Sequence, residues 1–114
     1  MRVCRMRSNL LFYCMLAAAA LAPSVVGAAD LAQGKKKAAM CAVCHGLDGL
    51  SKNPEAPNLA GDNANYLVKQ LKAFQSGARQ NEQMSIVAAS LSDEDVTDLA
   101  AWYSSLKVTV ELPQ

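Results

Sequence analysis

The chain has 114 residues, 11 of them basic and 10 acidic, with a single histidine. So even a charge balance gives no strongly basic face and argues against a nucleic-acid partner. The length suits one small domain rather than two.

The first 29 residues read as an export signal. Arg2, Arg5 and Arg7 make a basic start, Leu10 to Ala22 is an unbroken apolar run, and Pro23-Ser24-Val25-Val26-Gly27-Ala28-Ala29 ends in small residues. A membrane-spanning helix needs ~20 apolar residues, more than this run supplies. Cleavage is therefore expected after Ala28 or Ala29, giving a signal peptide over 1–28, a mature domain over 29–114 and a periplasmic location. Removal takes Cys4 and Cys14 with it and leaves Cys41 and Cys44 as the only thiols. It also takes three arginines and no acid, so the mature part is slightly acidic.

Asp30 with Gln33 forms a plausible capping pair, and Leu31, Gly34, Ala38 and Cys41 recur at helical intervals. Cys41-Ala42-Val43-Cys44-His45 follows, and C-x-x-C-H is the attachment signature of c-type haem. Two thiols at this spacing reach the edge of a porphyrin while the next residue reaches its iron. Three rivals fail. A thioredoxin-like pair wants a βαβ setting, and no β-branched runs flank the motif. A structural zinc needs four ligands, but Cys41, Cys44 and His45 are the only Cys or His residues beyond position 14. A disulfide across two residues closes too short a loop to stabilise much. A mature chain this size buries a marginal core, which a porphyrin would enlarge.

From Gly46 to Gly61 the residues favour loops, with Gly46, Gly49, Asn53-Pro54, Pro57 and Gly61 as punctuation. A helix is predicted from Asn63 as N-cap through Tyr66, Leu67, Gln70, Leu71 and Phe74 to Gly77. Beyond it stands Met84. With no second histidine, the mature chain offers only Met40 and Met84 as a soft ligand for the other face of the iron. Met40 is tethered beside Cys41, so Met84 is the expected axial partner of His45, a Met/His pattern established for c-type haem. The last helix is predicted from Ser92 as cap, with Asp95 completing a capping box and Asp93 and Glu94 favouring its positive end. Val96, Leu99, Ala100, Tyr103 and Leu106 line its inner face. Val108-Thr109-Val110 reads as an extended tail.

Together, Gly34, Cys41 to Gly46, Ala56-Pro57-Asn58-Leu59-Ala60-Gly61, Met84, Leu91 to Asp95 and Ala100 to Tyr103 resemble the class I c-type cytochromes, over nearly the whole mature chain. The likeness is greatest to the small periplasmic bacterial branch, including single halves of tandem di-haem members, where Tyr66-Leu67, Gln70-Leu71, Phe74 and Gly77-Ala78-Arg79 also fit. The resemblance implies an all-α fold around one haem c. The first and last helices would cross at Gly34 against Trp102-Tyr103, the carbonyl of Pro57 would accept a hydrogen bond from His45, and Leu59 would pack beside the porphyrin. Ser85 departs from the pattern, since many relatives carry Pro after the ligand Met. Tyr66, Arg79 and Trp102 are candidate partners for the haem propionates, and Lys35-Lys36-Lys37 is either a docking patch or a solvated face. The function expected is that of a one-electron carrier that docks transiently with redox proteins, and not an enzyme. A haem subunit of a larger dehydrogenase or oxidase complex is the alternative, and an open-site haem enzyme or gas sensor the third reading.

Overall fold

The computed structural model describes residues 27–114. The basic and apolar segment of the expected signal lies outside the described residues, apart from its final Gly27-Ala28. Five helices follow in order, α1 (Leu31–Ala38), α2 (Ala42–His45), α3 (Ala64–Ser76), α4 (Glu82–Ala89) and α5 (Asp93–Ser105), and no strand occurs among the described residues. No helix among them is long and apolar enough to cross a membrane.

The first and last helices make the main pair. Asp30 caps α1 by accepting from the Ala32 and Gln33 amides at 2.8 and 3.1 Å. Its own amide donates to the buried carboxylate of Asp98 at 2.7 Å. The reciprocal half of the cap thus comes from α5 and not from the Gln33 side chain. Small residues allow the close approach, since α1 buries only Gly34 and Ala38. A Cβ on Gly34 would lie 2.2 Å from the Asp98 carbonyl oxygen and 3.0 Å from the Trp102 Cβ. The crossing therefore brings Gly34 against the α5 backbone at Asp98 and against Trp102, one member of the expected aromatic pair. Ala38 joins Val96, Leu99, Ala100 and Tyr103 of α5 in the core, and Leu67 of α3 and Leu91 complete it.

The capping box of α5 forms as its spacing predicts. Ser92 Oγ accepts from the Asp95 amide at 3.0 Å, and Asp95 Oδ2 accepts from the Ser92 amide at 3.1 Å. Lys37 adds an ion pair to Asp95 at 3.0 Å, while Lys35 lies over the Trp102 ring, 5.5 Å from its centroid. Two of the three consecutive lysines are thus engaged within the fold, which leaves Lys36 alone unoccupied by these contacts.

The Lys37 hydrogen bond, followed by the Ser92 amide, holds the Asp95 carboxyl below the usual carboxylate range. A depressed acid stabilises the fold above its unfolded pKa, and that contribution disappears as pH falls through the lower folded value. Asp95→Asn should therefore lose up to about 1 kcal/mol at neutral pH, the upper range for an exposed pair. The difference from wild type should begin to shrink near pH ~4, where the unfolded carboxyl takes up its proton, and vanish only below the lower pKa of the folded carboxyl. Urea unfolding at pH 7 and pH 3 checks both arms.

α3 begins at Asn63, whose side chain accepts from the Tyr66 amide at 3.2 Å, and stops at Gly77 in the left-handed conformation. α4 is the element that the residue pattern did not predict. Asn81 caps it by accepting from the Gln83 and Met84 amides at 3.1 and 2.9 Å. Ser85 then closes the first turn, its amide donating to Asn81 O at 2.9 Å and its Oγ accepting from the Asn81 amide at 3.2 Å. Proline at 85 has no amide and would forfeit the first of these bonds, which the serine of this chain keeps. Residues beyond Leu106 lie exposed without regular structure.

Candidate functional site

The C-x-x-C-H segment forms one tight helical turn. The amides of Cys44 and His45 both donate to Cys41 O, at 3.2 and 2.9 Å, and α2 ends at Gly46. Gly46 has φ +75°, and a Cβ there would meet Asp48 Oδ1 and Leu50 O, both at 2.3 Å. Only glycine fits such a turn, and it directs the chain away immediately after the imidazole. Cys41 and Cys44 are free thiols, each partly buried. Burial pushes the Cys41 thiol up to about 11, so in the unliganded chain it stays protonated at neutral pH.

His45 is buried, and its Nδ1 lies 2.8 Å from Pro57 O. A carbonyl only accepts, so Nδ1 must carry a proton, and in the neutral imidazole Nε2 then keeps its lone pair. That is the tautomer a metal ligand requires. The loop carrying Pro57 is itself tied to the turn. Lys52 N donates to Cys44 O at 2.8 Å, Ser51 Oγ donates to the same oxygen at 3.2 Å, and the Leu59 amide donates to Gly49 O at 2.8 Å. Leu59 is half-buried against the core. Two neighbouring free thiols beside a buried imidazole with an available Nε2 form a donor set that fits haem c.

α5 clamps the same turn from the other side. The Tyr103 hydroxyl donates to Gly46 O at 3.1 Å within the core, and Trp102 Nε1 donates to Leu47 O at 3.2 Å. Trp102 therefore spends its indole N–H on the chain itself. Desolvation of the Tyr103 phenol, then the nearby Cys41 and Asp48, raises its pKa far above the ordinary value, so it remains a donor. The sequence placed Tyr103 on the inner face of the helix and, by resemblance, at the Gly34 crossing, with no partner for its hydroxyl. Its partner is 57 positions away, and no local signal announces such a bond.

The remaining candidates fall in several places. Met84 is half-buried in the first turn of α4, not in a loop. Arg79 donates to Gln70 Oε1 at 2.6 Å and stacks over Phe74, 4.7 Å from the ring centroid. Tyr66 is 49 % exposed on α3.

Comparison with known proteins agrees with this architecture. Residues 31–107 match the family model described as Cytochrome c. Among curated relatives, cytochrome c4 of Pseudomonas aeruginosa is 43% identical over 83 residues, covering 73% of this chain and 41% of its own length. Cytochrome c-554(548) of Halomonas halodenitrificans is 44% identical over 81 residues, covering 68% of this chain and 98% of its own. The thiosulfate dehydrogenase electron acceptor of Thiomonas intermedia is 47% identical over 81 residues, covering 69% of this chain and 37% of its own. The reduced recombinant cytochrome c4 of Pseudomonas stutzeri superposes with a TM-score of 0.66 at 39% identity, over 73% of this chain and 48% of that one. The chain thus spans about half the length, or less, of the cytochrome c4 proteins it matches. With its all-helical class I fold and its paired thiols for covalent haem c, the chain belongs to the cytochrome c family.

Proposed function

We propose that this chain is a periplasmic one-electron carrier holding a single haem c, with Cys41 and Cys44 as the thioether anchors and His45 and Met84 as the axial ligands. The observation that carries the reading is the hydrogen bond between His45 Nδ1 and Pro57 O, which prepares the other ring nitrogen for iron. Bound haem supplies an Fe(III)/Fe(II) couple. Pro57 fixes the orientation of His45 and raises its basicity, and the Met84 thioether, soft and neutral, favours the reduced state. The buried Tyr103 clamp and the more exposed Trp102 clamp keep the His45 turn rigid, so little structure has to move with each electron. Val43, in the middle of the haem-binding motif, is 80% exposed, which suits brief contact with a redox partner through a small interface. Residues 1–28 serve export, with cleavage after Ala28 or Ala29.

Coexpression with a haem-attachment system tests the reading. The exported protein should retain its haem in denaturant, show a low-spin spectrum with a weak far-red thioether-to-iron band, and bind carbon monoxide slowly when reduced. A colourless product with free thiols would overturn it, and a high-spin ferric form that binds carbon monoxide rapidly would point to an open-site haem protein instead.

A second reading is favoured by the relative named as the electron acceptor of thiosulfate dehydrogenase. By that analogy the domain takes electrons from a partner dehydrogenase, either as a free acceptor or as its haem subunit. Purification of the native protein separates the two, because a subunit travels with its catalytic partner.

A further inference from the structure

We infer that Gln75 is a positioning residue for Met84, an inference that rests on the reading of Met84 as an iron ligand. α4 has eight residues, too few to persist alone, since isolated helices below ~12–15 residues are marginal in water. It needs anchors from the rest of the fold. Contacts with the rest of the polypeptide supply few, because Ala88 is the one residue of α4 that protein atoms fully bury. At its N-terminal end the Asn81 and Ser85 bonds are local and tie the helix only to its own cap.

The C-terminal end is different. Gln75, one residue before the end of α3, donates through its Nε2 to Ala88 O at 3.0 Å and to Leu91 O at 2.8 Å. One amide therefore spans the turn between α4 and α5 and ties it to α3, the helix on which α4 packs. Ala88 stands four residues after Met84, so both share one face of α4. The bond from Gln75 consequently fixes the carbonyl one turn beyond the proposed ligand, on the ligand's own face. Losing it leaves Leu91 O without this donor and Ala88 O with only local amides such as that of Leu91, at 3.1 Å, a cost borne by the closed position of α4 and relieved when the helix swings out.

The experiment follows displacement of the thioether in the intact haem-loaded protein. Imidazole is added to the ferric form, and its binding rate and the loss of the far-red band are recorded. Gln75→Leu and Gln75→Glu keep the approximate size of the side chain and remove its N–H donors, and each should speed imidazole binding about tenfold, the combined effect of two lost hydrogen bonds near the weak end of the usual range. The glutamate variant carries the test if the leucine variant does not fold. Lys37→Ala loosens α1 from α5 and touches nothing on α4, so it should bind imidazole at the wild-type rate. A wild-type rate in Gln75→Glu overturns the positioning role, as does a rise in Lys37→Ala equal to that in Gln75→Glu, which would mark a merely global loss of stability. Wild-type protein without the far-red band would instead overturn the Met84 assignment, and this inference with it.

Discussion

Gly34→Ala should cost the fold about 3 kcal/mol, toward the upper range for overpacking a filled core. The added methyl would stand 2.2 Å from the Asp98 carbonyl oxygen and 2.8 Å from its carbon. Both are main-chain atoms in the middle of a helix, so no rotamer change relieves the clash, and α1 must move off α5. Moving it stretches the Asp30–Asp98 hydrogen bond and the Lys37–Asp95 ion pair and uncovers Ala38. Domains of this size have stabilities of ~5 kcal/mol, so one methyl group removes over half of what is available. Urea unfolding of the haem-loaded protein, followed by circular dichroism, measures it. A loss below about 1 kcal/mol, the level of an ordinary substitution, would show that the two helices cross less closely than described.

Met84→Ala should abolish the far-red band, open the iron to carbon monoxide and lower the reduction potential. The fall should be on the order of 0.1 V, since a one-electron couple shifts ~59 mV for each tenfold change in the relative stabilities of its two states. The folded chain should persist, because Met84 is only half-buried and the α4 cap uses its backbone amide rather than its side chain. Spectroelectrochemistry reads the potential and far-ultraviolet circular dichroism the fold. Survival of the band in the variant would mean that another residue ligates the iron.

Local chemistry made three of the helices legible in the amino-acid order. Asn63 and Gly77 bracket α3 because an Asx cap and a left-handed glycine are decided within a few residues, and the Ser92–Asp95 box marks the start of α5 for the same reason. The resemblance to class I c-type cytochromes marked Gly34 as a crossing point, and its nearest contacts fall on the Asp98 backbone and on Trp102. α4 was not readable. Its residues Glu82 to Ala89 present no broad apolar stripe, and its start depends on Ser85 bonding back to Asn81. The site divides in the same way. Contiguity brings Cys41, Cys44 and His45 together, whereas the hydrogen bonds of Tyr103 to Gly46, Trp102 to Leu47 and Gln75 to Leu91 join residues 57, 55 and 16 positions apart. Such partners are chosen by the folded backbone, and composition carries no trace of them. Lysine runs mislead for a related reason, since Lys35 and Lys37 look solvated until α5 supplies a ring and a carboxylate.

The contact between Asp30 and Asp98 joins positions 68 apart and has a consequence for the timing of assembly. A growing chain that has not yet released α5 offers α1 no surface to dock on, and closing so long a loop is an entropic cost met only near the end. Through most of its emergence, then, the polypeptide remains open around Cys41 and Cys44. The interval during which these sulfurs are accessible to an incoming porphyrin is set by how late the final helix arrives.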